Sequence, residues 1–167
     1  MLKIDSYIIK KIENIYSDEY IPMKIRFGPE KSFQDHLIYW QCGDEHNIIE
    51  IGILKKSKEL YSITLVNLCN VVLQKYAFVS QPAIDKNSCP LFEIECLDNY
   101  YFIEESSVKF YIGNDDITVF FNDGNITNYI MNGDIIFFLD NSDNWIGFNI
   151  KTNIRCHQNL IKQCMEQ

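Results

Sequence analysis

The sequence predicts a mainly β domain, with an α+β variant left open, arranged as an antiparallel meander, a sandwich or a partly open barrel with one or two short helices. Three observations carry this expectation. Short runs rich in Ile, Val, Phe, Tyr and Thr recur along the 167 residues. In the second half they are separated by Asn/Asp/Gly clusters at the spacing of about 8 to 12 residues typical of antiparallel sheets. One pair of runs around a short polar turn reads as a hairpin.

That hairpin is the first secure element. Asn47-Ile-Ile-Glu-Ile-Gly-Ile-Leu54, the charged Lys55 to Glu59 and Leu60-Tyr-Ser-Ile-Thr-Leu-Val-Asn67 form strand, turn and strand. Before it, Met23 to Phe27 and Leu37 to Gln41 read as short strands, with Gly28-Pro29 as a turn. Tyr7 to Tyr20 is ambiguous. Ile8, Ile12 and Ile15 recur at nearly helical spacing, whereas the β-branched content favours strand or mixed structure. Ser80 to Pro90 reads as a loop because two prolines and an Asp/Asn/Ser cluster interrupt it. From there the expected strands are Leu91 to Cys96, Val108 to Ile112, Ile117 to Phe121, Ile126 to Ile130, Ile135 to Leu139 and Trp145 to Ile150. The tail, His157 to Met165, is expected to close the domain as a short helix. With no repeat, linker or low-complexity stretch, residues 1–167 are expected to form one domain.

Composition excludes several function classes. Hydrophobic residues make up 47% and charged residues 23% of the chain, a globular balance. No apolar run approaches the roughly 20 residues needed to cross a bilayer, and Met1 to Tyr16 lacks the unbroken apolar core of a signal peptide. A cytoplasmic location is therefore expected, with Cys42, Cys69, Cys89, Cys96, Cys156 and Cys164 as free, mostly buried thiols. Net charge is −8, and charges cancel between Met1 and Pro90, so Leu91 to Gln167 carry the whole excess. Such a surface repels nucleic-acid phosphates and attracts basic proteins.

The hairpin Ile49-Glu-Ile-Gly-Ile53 and Glu59-Leu-Tyr-Ser-Ile-Thr-Leu-Val66, followed by Val108-Lys-Phe110, Asp116-Ile-Thr-Val-Phe-Phe121, Gly133-Asp-Ile-Ile-Phe-Phe-Leu-Asp140 and Ile146-Gly-Phe-Asn-Ile150, resembles bacterial immunity proteins of contact-dependent growth inhibition and related polymorphic toxin systems. A glycine-containing turn is replaced here by Lys56-Ser-Lys58. The resemblance implies a cytosolic protein that binds a cognate toxin domain, often a basic nuclease such as an RNase, and covers its active site. It carries over no functional residue.

Contact residues are therefore read from charge and exposure. Glu104, Glu105, Asp115, Asp116, Asp123, Asp134, Asp140 and Asp143 fall at strand ends and turns, where carboxylates stay in water and can imitate phosphate toward a basic cleft. The same residues also favour turns for conformational reasons alone. Tyr100, Tyr101 and Trp145 adjoin them as candidate anchors, Trp145 foremost, with core packing as the competing reading. Phe110, Val119, Phe137 and Phe148 are assigned to the core.

No catalytic, metal or cofactor site is expected. His36, His46 and His157 are scattered, and Asp44-Glu-His46 reads as a solvated turn in the absence of any ligand spacing. Cys156 and His157 are adjacent, which on a strand points them to opposite faces. Asp140-Asn-Ser-Asp-Asn144 resembles a calcium loop but lacks its central glycine and distal glutamate, so a hairpin turn accounts for it. The competing classes are a small hydrolase or nuclease whose residues converge only in the fold, and a self-associating β module with an exposed apolar edge strand.

Overall fold

A computed structural model describes residues 1–18, 20–28, 36–77, 84–94, 100–152, 158, 160 and 161, with Glu13 and residues 84–86 described by their backbone only. Among these residues are fifteen strands: β1 (Ile4–Ile9), β2 (Ile12–Tyr16), β3 (Met23–Phe27), β4 (Leu37–Gly43), β5 (Asn47–Leu54), β6 (Leu60–Leu68), β7 (Val71–Val72), β8 (Ile84–Lys86), β9 (Ser88–Phe92), β10 (Tyr101–Glu105), β11 (Lys109–Ile112), β12 (Asp116–Phe120), β13 (Asn128–Asn132), β14 (Ile135–Leu139) and β15 (Trp145–Lys151). They form a six-stranded sheet in the order β10-β4-β5-β6-β3-β2, a seven-stranded sheet in the order β7-β11-β12-β15-β14-β13-β8, and the pair β1-β9. None closes into a barrel, and the two large sheets face each other as a β sandwich.

Alternation along the strands builds the core. In β4, Ile38, Trp40 and Cys42 are buried while Leu37, Tyr39 and Gln41 are half-buried; in β5, Ile49, Ile51 and Ile53 are buried while Ile48 and Glu50 are half-buried. The six-stranded sheet meets the seven-stranded one through Phe27 of β3 and Phe137, whose ring centroids lie 6.1 Å apart, and through Trp40 and Phe121, 5.5 Å apart. Phe110, Val119, Phe137 and Phe148 all belong to this core, as expected. A second, smaller cluster of Phe120, Tyr129, Phe138 and Ile146 packs with Tyr76 and Tyr111.

The β5–β6 hairpin forms as expected, with Lys58 at φ 61° in its turn. The ambiguous Tyr7 to Tyr20 resolves into the end of β1 and all of β2. The loop reading of Ser80 to Pro90 is corrected in part: residues 80–83 lie outside the described set, but Ile84–Lys86 and Ser88–Phe92 are strands. Pro90 sits opposite Tyr7 in the two-stranded sheet, where a missing N–H does not interrupt a central ladder. That short sheet ties the sandwich together, through a bridge from Leu91 to Glu59 and another from Lys3 to Asn144.

Three strands had no strand counterpart in the expectation, β7, β8 and β10. All pair in parallel with partners distant in sequence: β7 with β11, β8 with β13, and β10 with β4. Of the expected terminal helix, Gln158, Leu160 and Ile161 are described and helical, and Leu160 is buried in the core. Cys96, Cys156, Cys164 and His157 lie outside the described residues. Cys42 and Cys89 are buried free thiols and Cys69 is exposed.

Candidate protein-binding surface

The expected anchors part company. Trp145 is fully buried, which overturns its reading as an interface anchor. Its ring stacks on Phe92 at 5.6 Å and meets Phe121 and Phe137 edge-on at 5.1 and 5.5 Å, and its indole N–H donates to the Gly147 carbonyl at 2.7 Å. The cause is position: β15 lies between β12 and β14, so a side chain on its inner face is covered from all sides. Gly147 permits this tight packing, since a Cβ there would fall 2.3 Å from the Val119 carbonyl oxygen.

Tyr100 and Tyr101 have the opposite fate. They are 46% and 44% exposed, and Ile103 is 69% exposed. They lie at or on β10, the edge strand of the six-stranded sheet. The Lys55 Nζ sits 4.0 Å above the Tyr100 ring, and His36 packs against that ring at 5.8 Å. Tyr101 lies 6.3 Å from Tyr39 and donates its hydroxyl hydrogen to Gln41. These contacts hold the rings in place, which reduces the ordering cost of using them as anchors.

The acidic residues also separate. Asp116 is corrected from water-exposed to buried: it accepts a hydrogen bond from the Asn149 side chain at 3.1 Å, lies 3.8 Å from the Lys75 ammonium, and covers Gly113 of the preceding turn, where a Cβ would fall 2.1 Å from its carboxylate. Asp115 and Asp134 are exposed at that same end of the seven-stranded sheet, where Thr152 N–H and Lys151 N–H donate to their carbonyls. Asp123, Asp140 and Asp143 lie at the other end, in the turns that follow β12 and β14. Asp123 pairs with Lys109 at 2.6 Å, so part of its charge is already neutralised.

Asp140 organises its own turn. Its carboxylate accepts from the backbone N–H groups of Ser142 and Asn144 and from the Asn144 amide. Burial pushes its carboxyl upward, but these hydrogen bonds outweigh that and hold it below the ordinary aspartate value. The turn reading of 140–144 therefore has a geometric basis.

Glu104 and Glu105 are carried by β10 itself. Glu104 points inward, accepting from the Trp40 indole N–H at 3.0 Å and meeting the Met1 amino group at 2.5 Å. Glu105 points outward. On the outer side of β10 a cavity of about 640 Å³ is lined by Gln41, Asp44, Glu45, Ile103 and Glu105, among others. On the inner side a cavity of about 400 Å³ is lined by Ile38, Trp40, Ile53, Phe102 and Glu104, among others. Ile103 borders both.

Asp44 and Glu45 were not among the expected contact residues, although Asp44-Glu-His46 does form the expected turn. The Asp44 carboxylate accepts from Asn47 N–H and His46 N–H, both at 2.8 Å, and these bonds hold its carboxyl below the ordinary value. Gly43, at φ 145°, lets this turn close: a Cβ there would fall 2.0 Å from the Asn47 carbonyl oxygen. The turn thus presents two carboxylates beside the aromatic edge. Another exposed apolar stretch, Tyr7 to Ile9 on β1, is followed by Lys10 and Lys11.

His36 and His46 lie beyond opposite ends of β4. Among the described residues, no group of three or more His, Cys, Asp or Glu side chains is placed to hold a metal, and no helix is long and apolar enough to cross a membrane. Neither a protein-family model nor a curated protein matches the chain.

Proposed function

We propose that this is a cytosolic immunity protein that binds a cognate toxin domain, a basic nuclease of RNase type, and neutralises it by covering its active-site cleft. One observation carries the reading: exposed Tyr100, Tyr101 and Ile103 share one sheet edge with Glu105, Asp44 and Glu45. Aromatic side chains supply binding energy at the centre of protein interfaces, and a carboxylate rim steers a basic partner and rejects acidic ones. The acidic rim also weighs against a purely self-associating module, because like-charged edges repel when two copies approach.

The test is capture of the toxin-domain product of the neighbouring gene by the purified protein, followed by assay of that toxin. Stoichiometric loss of nuclease activity supports the reading. Nuclease or hydrolase turnover by this protein alone, with no toxin bound, removes it in favour of an enzyme.

A further inference from the structure

We propose that β10 binds its partner by strand addition, taking up an extended segment in which cationic and apolar side chains alternate. This rests on the reading that the β10 edge docks a basic protein, and specifies which element of the partner does so.

The backbone supplies the first part of the argument. Tyr39 N–H donates to the Tyr100 carbonyl at 2.8 Å, and Ser106 N–H donates to the Gly43 carbonyl at 3.3 Å. Residues 100 and 106 therefore turn their backbone groups toward β4. Backbone direction alternates along a strand, so the N–H and C=O groups of Tyr101, Ile103 and Glu105 point to the open side. Among the described residues no strand pairs with that side. An unpaired row of this kind is a template for another chain.

The cavities supply the second part. Strand addition takes affinity from the main chain and specificity from pockets for alternate side chains. An added strand lies about 4.8 Å from β10, which places it between the two cavities that Ile103 borders. One set of its side chains reaches the inner cavity, where Ile38, Trp40, Ile53 and Phe102 offer apolar walls and the two carboxylates, Glu104 and Glu93, are already paired with the Met1 amino group and Lys3. The other set reaches the outer cavity, whose lining among the described residues has three carboxylates, Asp44, Glu45 and Glu105, and no lysine or arginine. His46 stands beside Glu45 at 3.5 Å. The complementary segment is apolar on one face and cationic on the other.

The experiment uses the full chain with two synthetic eight-residue peptides, one alternating lysine and valine and one alternating glutamate and valine, followed by fluorescence anisotropy. The lysine peptide binds and the glutamate peptide does not. Ile103→Pro removes an N–H that points to the open side and leaves the β4 pairing in place, so it weakens the lysine peptide about tenfold or more while the far-ultraviolet spectrum and melting temperature stay near those of the parent. The combined Asp44→Asn, Glu45→Gln, Glu105→Gln variant folds and weakens the same peptide most at low salt. Equal binding of both peptides, or binding unaffected by Ile103→Pro, overturns the inference. So does a concentration-dependent dimer that Ile103→Pro abolishes, which assigns the edge to a second copy. A toxin neutralised equally by parent and Ile103→Pro protein sinks strand addition and leaves the immunity reading standing. A lysine peptide bound through β10, with no toxin neutralised, does the reverse.

Discussion

Strands β10 and β15 look alike in sequence and end in opposite places. Each sets aromatic residues beside carboxylates: Tyr100-Tyr-Phe-Ile-Glu-Glu105 in one case, Asp140 to Asp143 followed by Trp145 in the other. β15 is flanked on both sides by antiparallel neighbours, and Trp145 is fully buried. Among the described residues β10 has one neighbour, and its odd-numbered side chains remain exposed. An aromatic residue beside acids thus becomes core or exposed surface according to where its strand lies in the sheet.

The sharpest way to break this contrast is to truncate both aromatics. Trp145→Ala removes a ring packed against Phe92, Phe121, Phe137 and Phe148 and is expected to cost about 3–5 kcal/mol in urea unfolding. Tyr101→Ala is expected to stay within about 1 kcal/mol. Equal costs would mean that β10 is as much a part of the core as β15.

Next in size is the joint that holds the acidic turn beside β10 to the opposite sheet. Buried Asn47 donates to the carbonyls of Asn70 and Val108 at 3.3 and 3.1 Å and accepts from Cys69 N–H and Asn70 N–H at 3.1 and 3.2 Å. Asn47→Ala removes the side-chain partner of the buried Val108 carbonyl just before β11 and the acceptor of Asn70 N–H, while Cys69 N–H keeps the His46 carbonyl at 3.2 Å. It is expected to destabilise by about 1–3 kcal/mol, with faster amide exchange at Asn70. An unchanged exchange rate there would show that the joint is held by other contacts.

The two acidic ends can be separated kinetically. Neutralising Asp44, Glu45 and Glu105 is expected to slow association with the toxin domain about tenfold at low salt and less at high salt. Neutralising Asp115 and Asp134, at the far end of the seven-stranded sheet from Asp123 and Asp140, is expected to change it less than about twofold. Stopped-flow measurements across salt concentrations decide this, and the reverse order would move the interface to the far end.

The strands joined by tight turns were legible because their signals are local. The β5–β6 hairpin is two apolar runs around a short charged turn, and β11 to β15 carry short apolar runs separated by Asn, Asp and Gly, with β11–β12, β13–β14 and β14–β15 pairing as neighbours in sequence. β10 was not legible. Its partner β4 lies about sixty residues away, with Tyr101 opposite Tyr39, and a parallel pairing leaves no turn between its strands to read. The run Tyr-Phe-Ile-Glu-Glu has strand formers but no alternation of apolar and polar residues. Burial of Trp145 and Asp116 was hidden for a related reason: sequence shows that a residue follows a turn, whereas its exposure depends on which strands lie beside it. Asp44 and Glu45 were visible as a turn, and only the parallel pairing of β10 sets them beside Ile103.

The smallest expected effect tests the turn that delivers Trp145 to the core. Asp143, at φ 61°, donates its N–H to the Asp140 carbonyl at 3.3 Å, and the Asp140 carboxylate ties down Ser142 and Asn144. Hydrogen bonding holds the folded-state value of Asp140 below the ordinary one despite partial burial, so the unfolded chain binds a proton there more readily than the folded one. The carboxylate's contribution is therefore complete above the unfolded value of about 3.9 and is lost as pH falls through the lower folded value. Asp140→Ala should lower the melting temperature modestly at neutral pH, and its gap from the parent should narrow only as pH falls below about 4. A gap that closed already near neutral pH would point to a different titrating group. A gap constant down to the acid limit would mean that the turn is held by its backbone alone, making the approach of Trp145 independent of the acidic residue that made the two regions look alike.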